Sequence, residues 1–369
     1  MVRRRRIAVA LTSGLAIAAF AFGAGLGDGA GTAPGPASSL PVSQLAGQRI
    51  VTGFQGREAP APVKAMIRRG ELAGVILFAA NLPGRAEGRR LVHRLQAIPR
   101  PAGLRDPLLV MVDQEGGLVK RIGGAPTASA EEMGRRGAVF SRRQGEATAA
   151  NLRDLGIDVD LAPVLDVARP GGTIAETERG FGSSASRVSA TAGTFAAGLQ
   201  GGGVAATAKH FPGLGAAREN TDFAAQRIDL SRRTLRAVDE MPYRRFIDLG
   251  GAMVMLSTAT YPAFSPKPAA FARPIATGEL RSRLGFAGVS ITDALESVAV
   301  RKFGGPAKAG ISAARAGTDL LLFADYRAAA RARHALVTHL RDGRLGRDGF
   351  ERSVERTLGL RRRLATAGL

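Results

Sequence analysis

The residues best equipped for chemistry lie in the stretch AATAKHFPGLGAARENTD, residues 205–222. A cation (Lys209) and an imidazole (His210) are delivered by a short apolar run, and Phe211-Pro212-Gly213 then breaks the chain. The loop that follows holds Gly213 and Gly215 and carries Glu219, Asn220 and Asp222. Proline fixes φ and glycine tolerates positive φ, so such a loop turns back over the end of the preceding segment. A cation and an imidazole hold polar ligands, while carboxyl groups on the same loop move protons. Other short apolar runs end in the same way. Run 108–112 leads into Asp113-Gln114-Glu115-Gly116-Gly117, with Lys120 and Arg121 close behind. Run 159–162 leads to Asp166, run 253–256 to Thr258 and Tyr261, and run 289–291 to Asp293. A single acid at such a place often only caps the next helix. Several of them, joined by a Lys-His pair, describe a polar, acid-lined site.

The elements that must position these residues alternate along the chain. Apolar runs recur at 50–54, 75–78, 108–112, 159–162, 204–207, 253–256, 289–291 and 320–323. Helical spacing is found between most of them, at 61–69, 85–95, 144–155, 190–199, 232–249 and 308–316, and after the last at 327–340 and 350–364. Strands alternating with helices imply parallel pairing, and eight such units predict an α/β chain folded as one (β/α)8 TIM barrel. The other parallel architecture is a doubly wound open sheet. The first strand–loop unit, Gly53-Phe54-Gln55-Gly56, lacks a dinucleotide fingerprint, and no GxxxxGK[ST] occurs. The barrel places reactive groups at the carboxyl ends of its strands, where these polar residues fall.

Composition narrows the chemistry. Cysteine is absent, which excludes disulfides, thiol nucleophiles and thiolate metal sites, and four histidines make a histidine-rich metal centre improbable. No metal or organic cofactor is expected. Lys+Arg 52 against Asp+Glu 31 gives a formal charge of +21, carried mostly by arginine. That excess suits an anionic cell envelope. Nucleic acid is not expected as a partner, because aromatics are only 5% and no basic motif interleaves with them. Arg3 to Arg6 precede an uncharged apolar stretch, so residues 1–28 read as an export signal or N-terminal anchor and place the protein outside the cell or at its envelope. Residues 29–45, rich in Gly, Pro, Ala and Ser, read as a flexible linker, and 46–369 as the barrel.

Seven stretches, in order, give the chain a specific resemblance. They are AGVILF with Asn81, DQEGG with Arg121, LAPVLDV, ER-GF at 178–181, KHFPG-G at 209–215, GVSITDAL at 288–295 and AGTDLLL at 316–322. Over roughly residues 45–325 the chain resembles the catalytic barrel of glycoside hydrolase family 3, and most of all its single-domain β-N-acetylhexosaminidases. The resemblance implies a carbohydrate substrate, an amino-sugar glycan such as a cell-wall fragment, cleaved with retention. It implies that Asp113 accepts hydrogen bonds from sugar hydroxyls, that Arg121, Arg179, Lys209 and His210 donate to them, and that Asp293 is the nucleophile. One loop departs from the pattern. Where the hexosaminidases carry Asp-Ser-His, with the histidine as general acid/base, this chain has Asn220-Thr221-Asp222, and Leu214 replaces a histidine common in the loop. Two expectations follow. Either Asp222 or Glu219 supplies the proton, as carboxylic acids do in other glycosidases, or the barrel has lost catalysis and binds glycans.

Overall fold

A computed structural model describes residues 35–367. The export segment expected at residues 1–28 lies outside these. The apolar runs become parallel strands: β1 (Ile50–Thr52), β2 (Gly74–Ile76) and β3 (Leu109–Val112) come first. After β3 a short antiparallel hairpin, β4 (Gln114–Gly116) and β5 (Val119–Lys120), stands outside the ring. The ring continues with β6 (Val159–Asp160), β7 (Ala205–Phe211), β8 (Met253–Leu256), β9 (Val289–Thr292) and β10 (Leu321–Phe323). Each ring strand pairs in parallel with its predecessor up to β9, and β10 returns to β1 with Leu321 opposite Ile50. A parallel bridge between Ile291 and Leu320 carries the last seam; the Leu320 N–H donates to the Ser290 carbonyl at 2.8 Å. The architecture is the (β/α)8 barrel that the alternation predicts.

Side chains alternate between the two faces of a strand, and this alternation builds both the core and the site. Leu109 and Met111, Met253 and Met255, Val289 and Ile291, and Leu320 and Leu322 meet in one cluster inside the ring. Val110 and Val112, Val254 and Leu256, and Leu321 and Phe323 belong to the larger cluster beneath the helices. One further step along the inward-facing series reaches Asp113 from Met111 and Asp293 from Ile291, and two steps reach Lys209 from Ala205 by way of Thr207. The strand period therefore aims these three side chains at the carboxyl mouth of the barrel.

Most helices fall where the spacing puts them, at Ala61–Arg68, Arg85–Gln96, Pro306–Ala316 and Tyr326–Arg341. Two are longer than expected, Ala138–Arg153 and Ala185–Gly201. Both begin before their expected starts, at Ala138 and Ala185, and small residues within the expected spans bring them together. The same small residues let the two helices touch backbone to backbone: a Cβ on Gly198 would stand 2.5 Å from the Arg142 carbonyl oxygen. The single helix expected over 232–249 is instead divided. A π turn at Leu235–Asp239 separates Arg232–Thr234 from Met241–Asp248, whose first turn contains Pro242. Proline has no N–H to continue an α ladder, so the helix restarts there. The stretch expected as linker is folded from residue 35 onward. Ala37, Leu40, Leu45 and Ala46 are buried, Val42–Gly47 is helical, and the Ala37 N–H donates to Glu355 at 2.5 Å. Its glycines and prolines suggested flexibility, but these apolar side chains find cover against the C-terminal helix, Arg347–Ala367.

That helix also closes the amino-terminal end of the barrel. Leu360 and Leu364 join the inner cluster, and Arg356 reaches the fully buried Asp319 at 2.7 Å. Asp319 also pairs with Arg281 and accepts from the Ser290 N–H at 2.8 Å. Burial alone would raise the Asp319 carboxyl, but Arg356 and Arg281 overcome it and hold the group well below the usual carboxylate range. A carboxylate depressed in this way stabilises the fold above about pH 4, where the unfolded chain ionises, and the contribution disappears as pH falls through the folded value. Asp319→Asn leaves two buried guanidinium groups short of their counter-charge. It is expected to lower stability by about 3 kcal/mol at neutral pH, read as a lower urea midpoint at unchanged slope, with the deficit shrinking in strong acid.

Candidate active site

The carboxyl mouth of the ring gathers the polar residues of five strand ends. Lys209, at the inward face of β7, is 2% exposed. Its ammonium lies 2.8 Å from Asp113 and 2.7 Å from Glu115. Glu115, in β4, also receives two hydrogen bonds of 2.8 Å from the Arg179 guanidinium, a bidentate pair. Arg121 approaches Asp113 at 3.5 Å. Asp113, Arg121, Arg179 and Lys209, singled out in the sequence for gripping a ligand, are thus joined in one network. Glu115 is the member that the sequence reading passed over as part of a motif. The signal was present, since 109, 111, 113 and 115 share one parity.

Electrostatics explain how so many charges stay buried. Burial would raise Glu115, but Arg179 and Lys209 outweigh it and hold the carboxyl well below its ordinary range. Burial would lower Lys209, yet Asp113 and Glu115 keep it raised and charged. Asp160 lies deeper, at the end of β6, where its Oδ1 accepts the Gln114 N–H at 3.0 Å and its Oδ2 has no partner. Burial pushes Asp160 well above the usual range, with Asp113 and Glu115 adding to the rise and the Gln114 N–H and Lys209 opposing it.

His210 is turned by a second carboxylate. Its Nδ1 lies 2.8 Å from Asp166, which also accepts the His210 N–H at 3.1 Å and the Leu214 N–H at 2.6 Å. The Lys209–His210 and Phe211–Pro212 peptides are both cis. Leu214 itself is buried, so at this position the backbone holds the loop while the side chain packs below it. Asp166 thereby fixes both the imidazole and the loop that leaves β7.

Asp293 stands directly beyond β9. The Ala294 N–H donates to its Oδ1 at 2.7 Å, and the Thr221 and Thr258 hydroxyls stand 3.5 Å from its Oδ2. One oxygen is pinned and the other has only long contacts. Thr221 brings with it the altered loop, which docks on the segment after β9: the Val298 N–H donates to the Asp222 carbonyl and the Ala299 N–H to that of Thr221, both at 3.2 Å. Asp222 is solvent-exposed at this mouth, but the atoms around its carboxyl push it up from its ordinary value, and Asp293 and Asp113 push further. His210 and Arg179 oppose the rise. Glu219 is exposed too, its backbone N–H turned to Gln226 at 3.3 Å, and the structure does not bring it into the charged network.

Comparison with known proteins agrees with this geometry. Residues 42–360 match the family model described as the glycosyl hydrolase family 3 N terminal domain. A secreted glycosyl hydrolase from Arthroderma benhamiae is 36% identical over 341 residues, covering 89% of this chain and 96% of the relative. A β-hexosaminidase from Xanthomonas euvesicatoria is 32% identical over 282 residues, 74% of this chain and 82% of the relative. Among solved structures, a family 3 β-N-acetylglucosaminidase from Paenibacillus superposes with a TM-score of 0.85 at 33% identity, covering 89% of this chain and 63% of that longer one. Barrel, strand-end acids and relatives converge: the chain belongs to glycosyl hydrolase family 3, as a glycosidase of the β-N-acetylhexosaminidase-like kind.

Proposed function

We propose that this chain is exported and removes terminal β-linked N-acetylglucosamine from cell-wall-type glycans, with Asp293 as nucleophile and Asp222 as proton donor. The observation that carries the reading is the contact between the segments that hold the two acids. Asp293 raises Asp222, and both belong to segments that clasp each other through Thr221, Asp222, Val298 and Ala299. Asp113, Lys209, Arg179 and Arg121 grip the terminal sugar, with Glu115 holding the cations in place. Asp293 attacks the anomeric carbon while protonated Asp222 gives its proton to the departing glycosidic oxygen; the C–O bond breaks and a glycosyl ester forms on Asp293. Ester formation removes the Asp293 charge and with it part of what raised Asp222. The carboxylate left at Asp222 then takes a proton from water as that water attacks the ester and frees Asp293. The formal charge of +21 supports residence against an anionic envelope.

A second reading rests on the altered loop. Asn220 is occupied in a turn, its Oδ1 accepting the Asp222 N–H at 2.9 Å, and Asp222 is open to solvent. A barrel without a working proton donor would bind glycans and leave them whole.

The two readings separate on an aryl N-acetyl-β-glucosaminide, assayed beside a β-glucoside. The enzyme reading expects wild-type release of the chromophore and a loss of at least about 10³-fold in Asp293→Ala. Saturable glycan binding by a folded protein with no turnover on any sugar would establish the second reading.

The pH profile tests Asp222. A general acid works while protonated, so kcat/KM should fall as pH rises through the Asp222 value, which is raised from that of an ordinary aspartate. In Asp222→Asn that limb should vanish and turnover of poor leaving groups drop about 10²-fold, while Glu219→Gln changes little. An intact limb in the Asp222 variant would remove the role.

The ion network separates holding from gripping. Asp113→Ala leaves Lys209 its bond to Glu115, so the thermal midpoint should stay near wild type while KM for the sugar rises. Glu115→Ala strands the buried Arg179 and leaves Lys209 with Asp113 as its carboxylate partner, and should cost about 3 kcal/mol in denaturant titrations.

A further inference from the structure

We propose that Phe223 is the platform for the leaving-group side of the substrate, stacking on the sugar or aryl ring beyond the bond that is cut. The inference rests on the glycosidase reading above. Phe223 is 77% exposed, and among the described residues it is the only aromatic side chain in the group of large hydrophobics left open to solvent. Its place in the chain is specific. It follows Asp222, the acid that Asp293, His210, Asp113 and Arg179 all influence.

The backbone around it is fixed. The Phe223 and Ala224 N–H groups donate to the Asn220 carbonyl at 3.0 and 3.1 Å, and the Asp222 N–H donates to the Asn220 side chain at 2.9 Å. Asp222 and Thr221 are tied by their carbonyls to the segment after β9. The ring is thus displayed from a braced turn, and little backbone freedom must be lost when a ligand settles on it.

The side of the substrate it serves follows from the rest of the site. The terminal sugar is gripped by charges inside the barrel, and the proton donor stands beside the oxygen that leaves. An apolar side chain one position after that donor and open to solvent is available to what lies beyond the oxygen. The negative face of a phenyl ring matches the C–H-rich face of a pyranose, and equally an aryl group. Asn220 has a part in this. It serves as the hinge of the turn that presents Asp222 and Phe223 together.

The test compares leaving groups in one enzyme. Wild type, Phe223→Ala and Phe223→Trp are assayed by kcat/KM on N,N′-diacetylchitobiose, on 4-nitrophenyl N-acetyl-β-glucosaminide and on N-acetyl-β-glucosaminyl fluoride. Fluoride offers no face to stack on. The platform predicts a five- to tenfold loss, by about the worth of one aromatic contact, for the first two substrates in Phe223→Ala. It also predicts an unchanged fluoride rate and recovery in Phe223→Trp. Equal losses on all three substrates, or none on any, would overturn it while leaving the glycosidase reading intact. Wild type that cleaves none of the three would overturn that reading, and the platform with it.

Discussion

A buried ammonium dictates the shape of the barrel mouth. Lys209 is almost fully enclosed, and taking such an ion out of water costs several kcal/mol unless its partners are close and well aimed. Asp113 and Glu115 meet that condition at 2.8 and 2.7 Å, and Glu115 is in turn held by Arg179. Three separate stretches are therefore locked to one another: the end of β3 with its hairpin, the inward end of β7, and the loop that follows the short helix Thr173–Glu176. The cost of desolvating these charges is met when the chain folds. A sugar that enters finds donors and acceptors already oriented, which is what preorganisation requires.

The turn after Lys209 is held from below by a second set of contacts. Asp166 takes two backbone N–H groups and the imidazole, while the Tyr261 hydroxyl donates to the Gly213 carbonyl at 3.0 Å. Gly213 has φ 132°, and a Cβ there would come within 2.6 Å of the Asp239 Cβ. Asp239 cannot give way readily, since its carboxylate is pinned by both arms of Arg169 at 2.8 Å. Glycine is needed at this point for space as well as for conformation. The π turn that interrupts the expected helix ends at Asp239, so the irregularity sits where the site is braced.

Legibility in the sequence followed the physics of each feature. All eight ring strands were readable, because a parallel barrel buries both faces of each strand and leaves continuous apolar runs. Helices 138–153 and 185–201 were readable only from 144 onward and over 190–199, and the close contact that Gly145 and Gly198 permit carries no hydrophobic signal of its own. The division at Pro242 was visible as a proline, yet its consequence depended on Asp239 finding Arg169 seventy residues away in the chain. Asp113, Lys209 and Asp293 could be placed on the inner face by parity alone. Glu115 and Asp166 act through partners that come from other strands, and no local pattern announces those partners. The folding of residues 35–45 against the C-terminal helix was hidden for the same reason.

The changed triplet gains a physical rationale in the proposed mechanism. Beside the negative Asp293, a histidine is driven toward its charged form, and an aspartate partner then orients the imidazole and stabilises that charge. An aspartic acid at 222 meets the opposite effect. The same neighbour favours its neutral form, so the proposed mechanism requires no partner to keep the proton there. A second carboxylate at 220 would then add like charge beside Asp222 and compete for the same cations. An amide there adds none, and its carbonyl oxygen is free to accept the Asp222 N–H. Asn220 and Asp222 are thus intelligible as one coordinated change: once the proton donor is a carboxyl, the dyad partner becomes a liability and its position is better used to shape the turn.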